Sequence, residues 1–228
     1  MSLRYPRAFF DATRASLFAG WTTQPQVDGI NAIMTAWDKA FPKGVDIRFV
    51  AYAFATVYHE TAQAMQPVEE YGHGRGRAYG VPAGPWRQVY DGRGDVQLTW
   101  YENYQHATVR LHAMGALSPD LSLAKTPDLA CQPAIAAAVL IYGMTEGWFT
   151  RLTLADFFNT KKSDWFDARK IINGLDRAAL VESYGKRFLT ALTAGGWSAP
   201  DPIVAVADTS SAARAGIPAQ PQPKETTK

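Results

Sequence analysis

The sequence predicts one mainly α-helical domain of α+β class, with a small β-hairpin and a glycine-rich loop. Three observations carry this. Apolar residues recur at three- and four-residue steps in several segments, which is the pattern of helices with one buried face. The stretch Phe49-Val50-Ala51-Tyr52-Ala53-Phe54-Ala55 is apolar nearly all round and marks a helix enclosed on most sides. Between Gly72 and Gly94, seven glycines with Pro82 and Pro85 leave loop-like chain. A long loop inside a compact domain is more often functional than idle.

The 228 residues fit one domain at about 150 residues per domain, with an appendage. An apolar share of 47% and an aromatic share of 12% exclude a disordered or fibrous chain. Residues 1–197 read as the globular unit and contain every tryptophan. Residues 198–228 carry no aromatic side chain and five prolines, so they read as a disordered Pro/Ala-rich tail. The charges in that tail cancel, which argues against a polybasic membrane anchor. A net charge of +2 makes no whole-molecule cation, so electrostatically driven nucleic-acid binding is not expected. Cys131 stands alone, so neither an intramolecular disulfide nor a cysteine-based zinc site can form. Arg4, Arg7, Asp11 and Arg14 interrupt the apolar stretches of residues 1–20, which therefore do not read as a signal peptide. The longest apolar run, Ala134–Tyr142, falls well short of the roughly 20 residues that span a bilayer.

The helices follow in order. Thr23 with Gln26 three residues on has capping-box spacing, and Pro25 suits a first turn. Val27, Ile30, Met34, Trp37 and Phe41 then share one face. A second helix is expected over about Asp46–Met65, stopped by Pro67. A third covers about Pro133–Tyr142. A fourth runs from about Asp176 to Leu192, with Val181, Tyr184, Phe188 and Leu192 inward and Gly195-Gly196 beyond its end. The hairpin is expected near Val96–Thr99, where Gln97 and Thr99 alternate with Val96 and Leu98.

The first candidate for chemistry is Glu60, in Tyr58-His59-Glu60-Thr61, near the end of the most hydrophobic helix. Apolar surroundings would raise its pKa, as a general acid requires. The plainer reading is a solvated last turn or a pair with an arginine. The second candidate is Glu69-Glu70 beyond Pro67. Hydrolysis of a glycosidic bond needs two carboxyls facing one cleft, one protonated and one ionised. A proline break would let a loop carboxylate swing round toward Glu60, although adjacent glutamates alone are usually surface charge. Tyr90-Asp91-Gly92-Arg93-Gly94-Asp95-Val96-Gln97-Leu98-Thr99-Trp100, followed by Asn103-Tyr104, sets amides and hydroxyls beside aromatic rings, which suits a sugar. It would equally suit an ordinary hairpin edge. Arg75, Arg77, Arg87 and Arg93 cluster with Tyr71, Tyr79, Trp86 and Tyr90, which fits an anionic glycan, a nucleic-acid surface or a solvated loop. His59-Glu60-Thr61-Ala62-Gln63 lacks the second histidine of a zinc-protease helix.

Together these residues resemble glycoside hydrolase family 19, whose members have a lysozyme-like fold. The resemblance rests on His59-Glu60-Thr61 with Met65–Gly72, on Tyr90–Trp100 with Asn103-Tyr104, and on Ala168-Arg169-Lys170-Ile171-Ile172-Asn173-Gly174. Gly143–Thr150 is similar to a stretch of bacterial and phage members. The resemblance implies an inverting hydrolase with Glu60 as general acid. It implies the second carboxylate at Glu70 or Glu69, with Glu70 favoured by the Pro-x-x-Glu-Tyr-Gly spacing. Gln97, Asn103, Asn173 and Tyr90 would contact substrate, and Thr99 would help hold the attacking water. No cofactor or metal is implied.

The lack of cysteine pairs and the short stretch from Glu60 to Gly92 resemble bacteriophage endolysins. The expected activity is cleavage of the β-1,4 bond between N-acetylmuramic acid and N-acetylglucosamine in peptidoglycan, with chitin hydrolysis or a catalytically inactive glycan-binding module as alternatives. A monomer is expected, made in the cytoplasm and acting on the cell wall after release.

Overall fold

The computed structural model describes residues 3–197. The expected tail, 198–228, lies outside the described residues. The helices among them are α1 (Pro6–Ser16), α2 (Gln24–Ala40), α3 (Ile47–Glu60), α4 (Tyr101–Ala113), α5 (Pro133–Glu146), α6 (Leu154–Phe157) and α7 (Ala178–Ala194). Short 3-10 turns cover Ala78–Gly80, Pro127–Cys131 and Asp167–Ile171. The sheet is one small antiparallel pair, β1 (Val68–Glu69) with β2 (Arg93–Gly94). This is the mainly helical architecture that the apolar periodicity predicts.

α3 is the central element. Asp46 caps it by accepting from the Arg48 backbone N–H at 2.9 Å. All residues from Phe49 to Tyr58 are buried. Its main partner is α7. Phe54 stacks on Phe188 at 5.3 Å, and Tyr58 meets Tyr184 edge-on at 4.7 Å. Gly185 of α7 leaves room for the Trp165 ring, which would lie 2.7 Å from a Cβ there.

α2 begins as its sequence predicts. Gln26 Oε1 accepts from the Thr23 backbone N–H at 2.8 Å, and Thr23 Oγ1 accepts from the Gln26 N–H at 3.3 Å. That end of α2 docks on the chain leaving α3. Gln26 Nε2 donates to the Gln63 carbonyl at 3.1 Å, and Gln66 Nε2 donates to the Pro25 carbonyl. Gly29 leaves space for the Met65 carbonyl oxygen, which would stand 1.6 Å from a Cβ there.

Several boundaries differ from expectation. α3 stops at Glu60 rather than running to Met65, so Pro67 does not end it. The Thr61 hydroxyl donates back to the Val57 carbonyl at 2.7 Å and accepts from the Met65 N–H at 3.1 Å. Ala62, Gln63 and Met65 then take φ of 47°, 72° and 53°, which a helix cannot hold. The strand expected at Val96–Thr99 is instead the pair Arg93–Gly94. Gly94 at φ 85° begins a tight turn, and Leu98 returns to hydrogen-bond Arg93. α5 continues past Tyr142 until Gly147, whose left-handed φ of 79° closes it. α1, α4 and the short α6 stand in addition to the four helices the sequence predicts.

Candidate active site

Glu60 stands at the last turn of α3, with its side chain 18% exposed. The expected apolar cage is absent. Arg169 Nη1 donates to Glu60 Oε1 at 2.7 Å, and this arginine is only 3% exposed. Arg169 is itself anchored through Nε to the Asp176 carbonyl at 3.1 Å. The arginine-pair reading of Glu60 is therefore the observed one, and the carboxyl is fixed by a guanidinium. Burial pushes the neighbouring His59 imidazole below its usual value, so it is neutral near pH 7.

The second carboxylate pair follows on β1. The Glu70 backbone N–H reaches the Gly92 carbonyl at 2.7 Å. Its side chain accepts from Tyr79 Oη at 3.0 Å and from the Gly92 N–H at 3.0 Å. Both carboxyl oxygens are thus met by donors. Burial, and secondarily this bond to Glu70, pushes the Tyr79 phenol up to about 12, so it remains a donor. Glu69 lies opposite Arg93 in the register and takes Arg93 Nη2 on Oε1 at 2.7 Å. His73 Nδ1 also lies 3.1 Å from Glu69 Oε1.

Gln97 ties the hairpin together. Its Nε2 donates to the Val68 carbonyl at 3.0 Å and the Gly94 carbonyl at 3.3 Å. Asn103 is mostly buried in the first turn of α4 and donates from Nδ2 to the Thr99 carbonyl at 2.8 Å. Thr99 is half-buried just before that turn. Asn173 sits in the loop after the 167–171 turn, its N–H bonded to the Arg169 carbonyl and its Oδ1 accepting from Gly174.

Tyr90 corrects the sequence reading. It is 1% exposed, its hydroxyl donates to the Ala124 carbonyl at 2.6 Å, and its ring packs on Tyr101 and Tyr104. It supports the core and offers no face to a sugar. The arginine cluster also divides. Arg93 is buried among carboxylates, whereas Arg75, Arg77 and Arg87 are exposed. Exposed rings in this region belong to Tyr71 and Trp86.

The structure therefore assembles two groups. One is Glu60, Arg169 and the Asn173 loop; the other is Glu69, Glu70, Gly92 and Gln97 on the hairpin with Tyr79. Residues 61–67 join them. Seven of the ten non-glycine residues with positive φ among the described residues fall between Ala62 and Trp100. Strained backbone of this kind concentrates at functional sites. Sequence reasoning gave no role to Arg169, 109 residues from Glu60, because nothing local marks the pair.

The fold is that of glycoside hydrolase family 19. A class IV chitinase of that family from Zea mays superposes with a TM-score of 0.52 at 17% identity, over 80% of this chain and 92% of its own. Chitinase C from Streptomyces griseus aligns at 0.46 and 21% identity, over 85% of this chain and 78% of its own. A bacterial family 19 chitinase aligns at 0.48 and 25% identity, over 81% of this chain and 93% of its own. No protein-family model and no curated protein matches the chain in sequence.

Proposed function

We propose that this chain is an inverting glycoside hydrolase of endolysin type that cleaves the β-1,4 bond between N-acetylmuramic acid and N-acetylglucosamine in peptidoglycan. The observation that carries this reading is the Glu60–Arg169 pair at the end of the core helix, followed ten residues later by the fixed carboxylate of Glu70. In this role Arg169 holds Oε1 of Glu60, so Oε2 is the oxygen that carries the proton to the leaving sugar. Glu70, with Tyr79 and Gly92 orienting it, takes a proton from water as that water attacks the opposite face of the sugar. Inversion requires the two carboxyls about 6.5–9.5 Å apart when substrate is bound. Glu69 is the alternative base; its Oε1 is held by Arg93 and faced by His73, whereas Glu70 is oriented by Tyr79 and Gly92. Gln97, Thr99, Asn103 and Asn173 line the proposed glycan path, Gln97 and Asn103 through the polar atoms their hairpin bonds leave over.

Peptidoglycan is favoured over chitin because the short segment between Glu60 and Gly92 and the single cysteine resemble bacteriophage endolysins, with a more open cleft expected. The second reading, chitin hydrolysis, is the activity named for the Zea mays neighbour. Action would be on the cell wall, as a monomer on a glycan strand. Parallel digestion of purified sacculi and colloidal chitin, with mass analysis of the new reducing ends, separates these readings. Muramic-acid reducing ends from sacculi are expected. Soluble chitooligosaccharides with intact sacculi would transfer the assignment to chitin, and no product from either would leave a binding module.

A further inference from the structure

Beside the proposed catalytic pair lies a group of side chains of which the hydrolytic reading uses only Glu69, as the alternative base. Glu69, His73 and Asp91 each offer one ligand atom, and those atoms all lie within 4.8 Å of one another. His73 Nδ1 is 3.1 Å from Glu69 Oε1 and 3.5 Å from Asp91 Oδ2. Zinc-class ions hold nitrogen and oxygen ligands at about 2.1 Å, which sets neighbouring tetrahedral ligands about 3.4 Å apart. The two spacings fall on either side of that value.

Asp91 supplies the independent observation. It is 0% exposed, and neither carboxyl oxygen receives a hydrogen bond among the described residues. Arg93 Nη1 lies 2.7 Å from Oδ1 as an ion contact but directs its hydrogen bonds to the carbonyls of Val89 and Asp91. Oδ2 faces His73 instead. A buried carboxylate oxygen without a donor is costly, and a cation relieves that cost. Charge points the same way. Glu69, Asp91 and Asp128 surround the single guanidinium of Arg93, so three carboxylates face one guanidinium. Arg93 holds Asp91 through Oδ1, which leaves Oδ2 toward His73, and it also contacts Glu69 Oε1 at 2.7 Å, so the ion would share that oxygen with the guanidinium.

We propose that Glu69, His73 and Asp91 form a binding site for one zinc-class divalent cation, with water completing its coordination. The ion ties the glycine-rich loop, which carries His73, to β1 and to the start of β2. Its role is structural, and nothing in it depends on the proposed hydrolysis. A histidine nitrogen among carboxylates selects Zn2+ over Mg2+.

The test titrates the full chain, stripped with EDTA, with ZnCl2 by calorimetry and follows the melting temperature. One saturable Zn2+ per chain and a rise of several degrees are expected, with Mg2+ giving neither. His73→Ala changes an exposed side chain, so its metal-free melting temperature should match the parent. Its Zn2+ affinity should fall by roughly 100-fold or more, beyond what loss of a merely supporting contact brings. No saturable binding at millimolar Zn2+, equal binding by His73→Ala, or equal binding of Mg2+ would overturn the proposal.

Discussion

α3 and the β1–β2 hairpin present their carboxylates by different physical means. Glu60 ends a helix in which ten successive residues are buried, so its backbone is fixed by apolar packing. Burying side chains such as Phe54 contributes about 1.5–3 kcal/mol each. Glu70 leaves a strand of two residues, held by the Gly92 bonds, the Gln97 cross-link and Tyr79. Such hydrogen bonds contribute about 0.5–1.5 kcal/mol each. The difference teaches that one half of the site should fail only when the whole core fails. The other should respond separately to pH, to ions and to single polar substitutions.

The largest effect should come from the helix side. Phe188→Ala removes the ring stacked on Phe54 and should cost about 3–5 kcal/mol, read as a lowered denaturant midpoint. A loss below 1 kcal/mol would mean that α7 does not hold α3 in place. On the hairpin side, Asp95 follows Gly94 in the turn after β2, where it is 2% exposed and burial pushes its carboxyl up to about 7 from 3.8. Between those values the folded chain keeps a proton that the unfolded chain has released. Stability is therefore fully present below pH ~4 and is lost as pH rises through 7, by an amount on the order of 4 kcal/mol. Asp95→Asn should flatten the unfolding free energy across pH 4–7. An unchanged slope in that variant would remove Asp95 as its cause.

Two further substitutions sharpen the contrast within the hairpin. Glu70→Gln should lower hydrolysis by about 10²–10⁴-fold, and Glu69→Gln by less than tenfold, in reducing-end assays with melting temperatures followed in parallel. The reverse ranking would move the base to Glu69. Tyr79→Phe removes one donor from Glu70 and should cost about 1 kcal/mol of local order, seen as a several-fold drop in turnover with the global melt unchanged. The smallest effect is expected from ending the chain at Trp197, which should leave activity and melting temperature as they were.

What was legible in the sequence was local. The Thr23–Gln26 box needs only its own residues, and the all-round apolar run of α3 announces its burial. The end of α3 was not legible, because it is set by α2 docking through Gly29, Gln26 and Gln66, not by Pro67. Tyr90 was misread for a similar reason. Its burial depends on Tyr101 and Tyr104 of α4, a helix with weak periodicity. The Glu60–Arg169 pair joins residues 109 apart, and no spacing rule reaches that far. Order of elements and the identity of the carboxylates could be read; what each carboxylate touches could not.

The account turns on Glu60 acting as an acid while clamped by Arg169. The most direct measurement is the rate of new reducing ends from purified sacculi for the parent chain and for Glu60→Gln, with both melts recorded. The account predicts a loss of about 10²–10⁴-fold in the variant, whose amide can still accept from Arg169 and so keep the fold. A folded Glu60→Gln chain that releases reducing ends at the parent rate would contradict it.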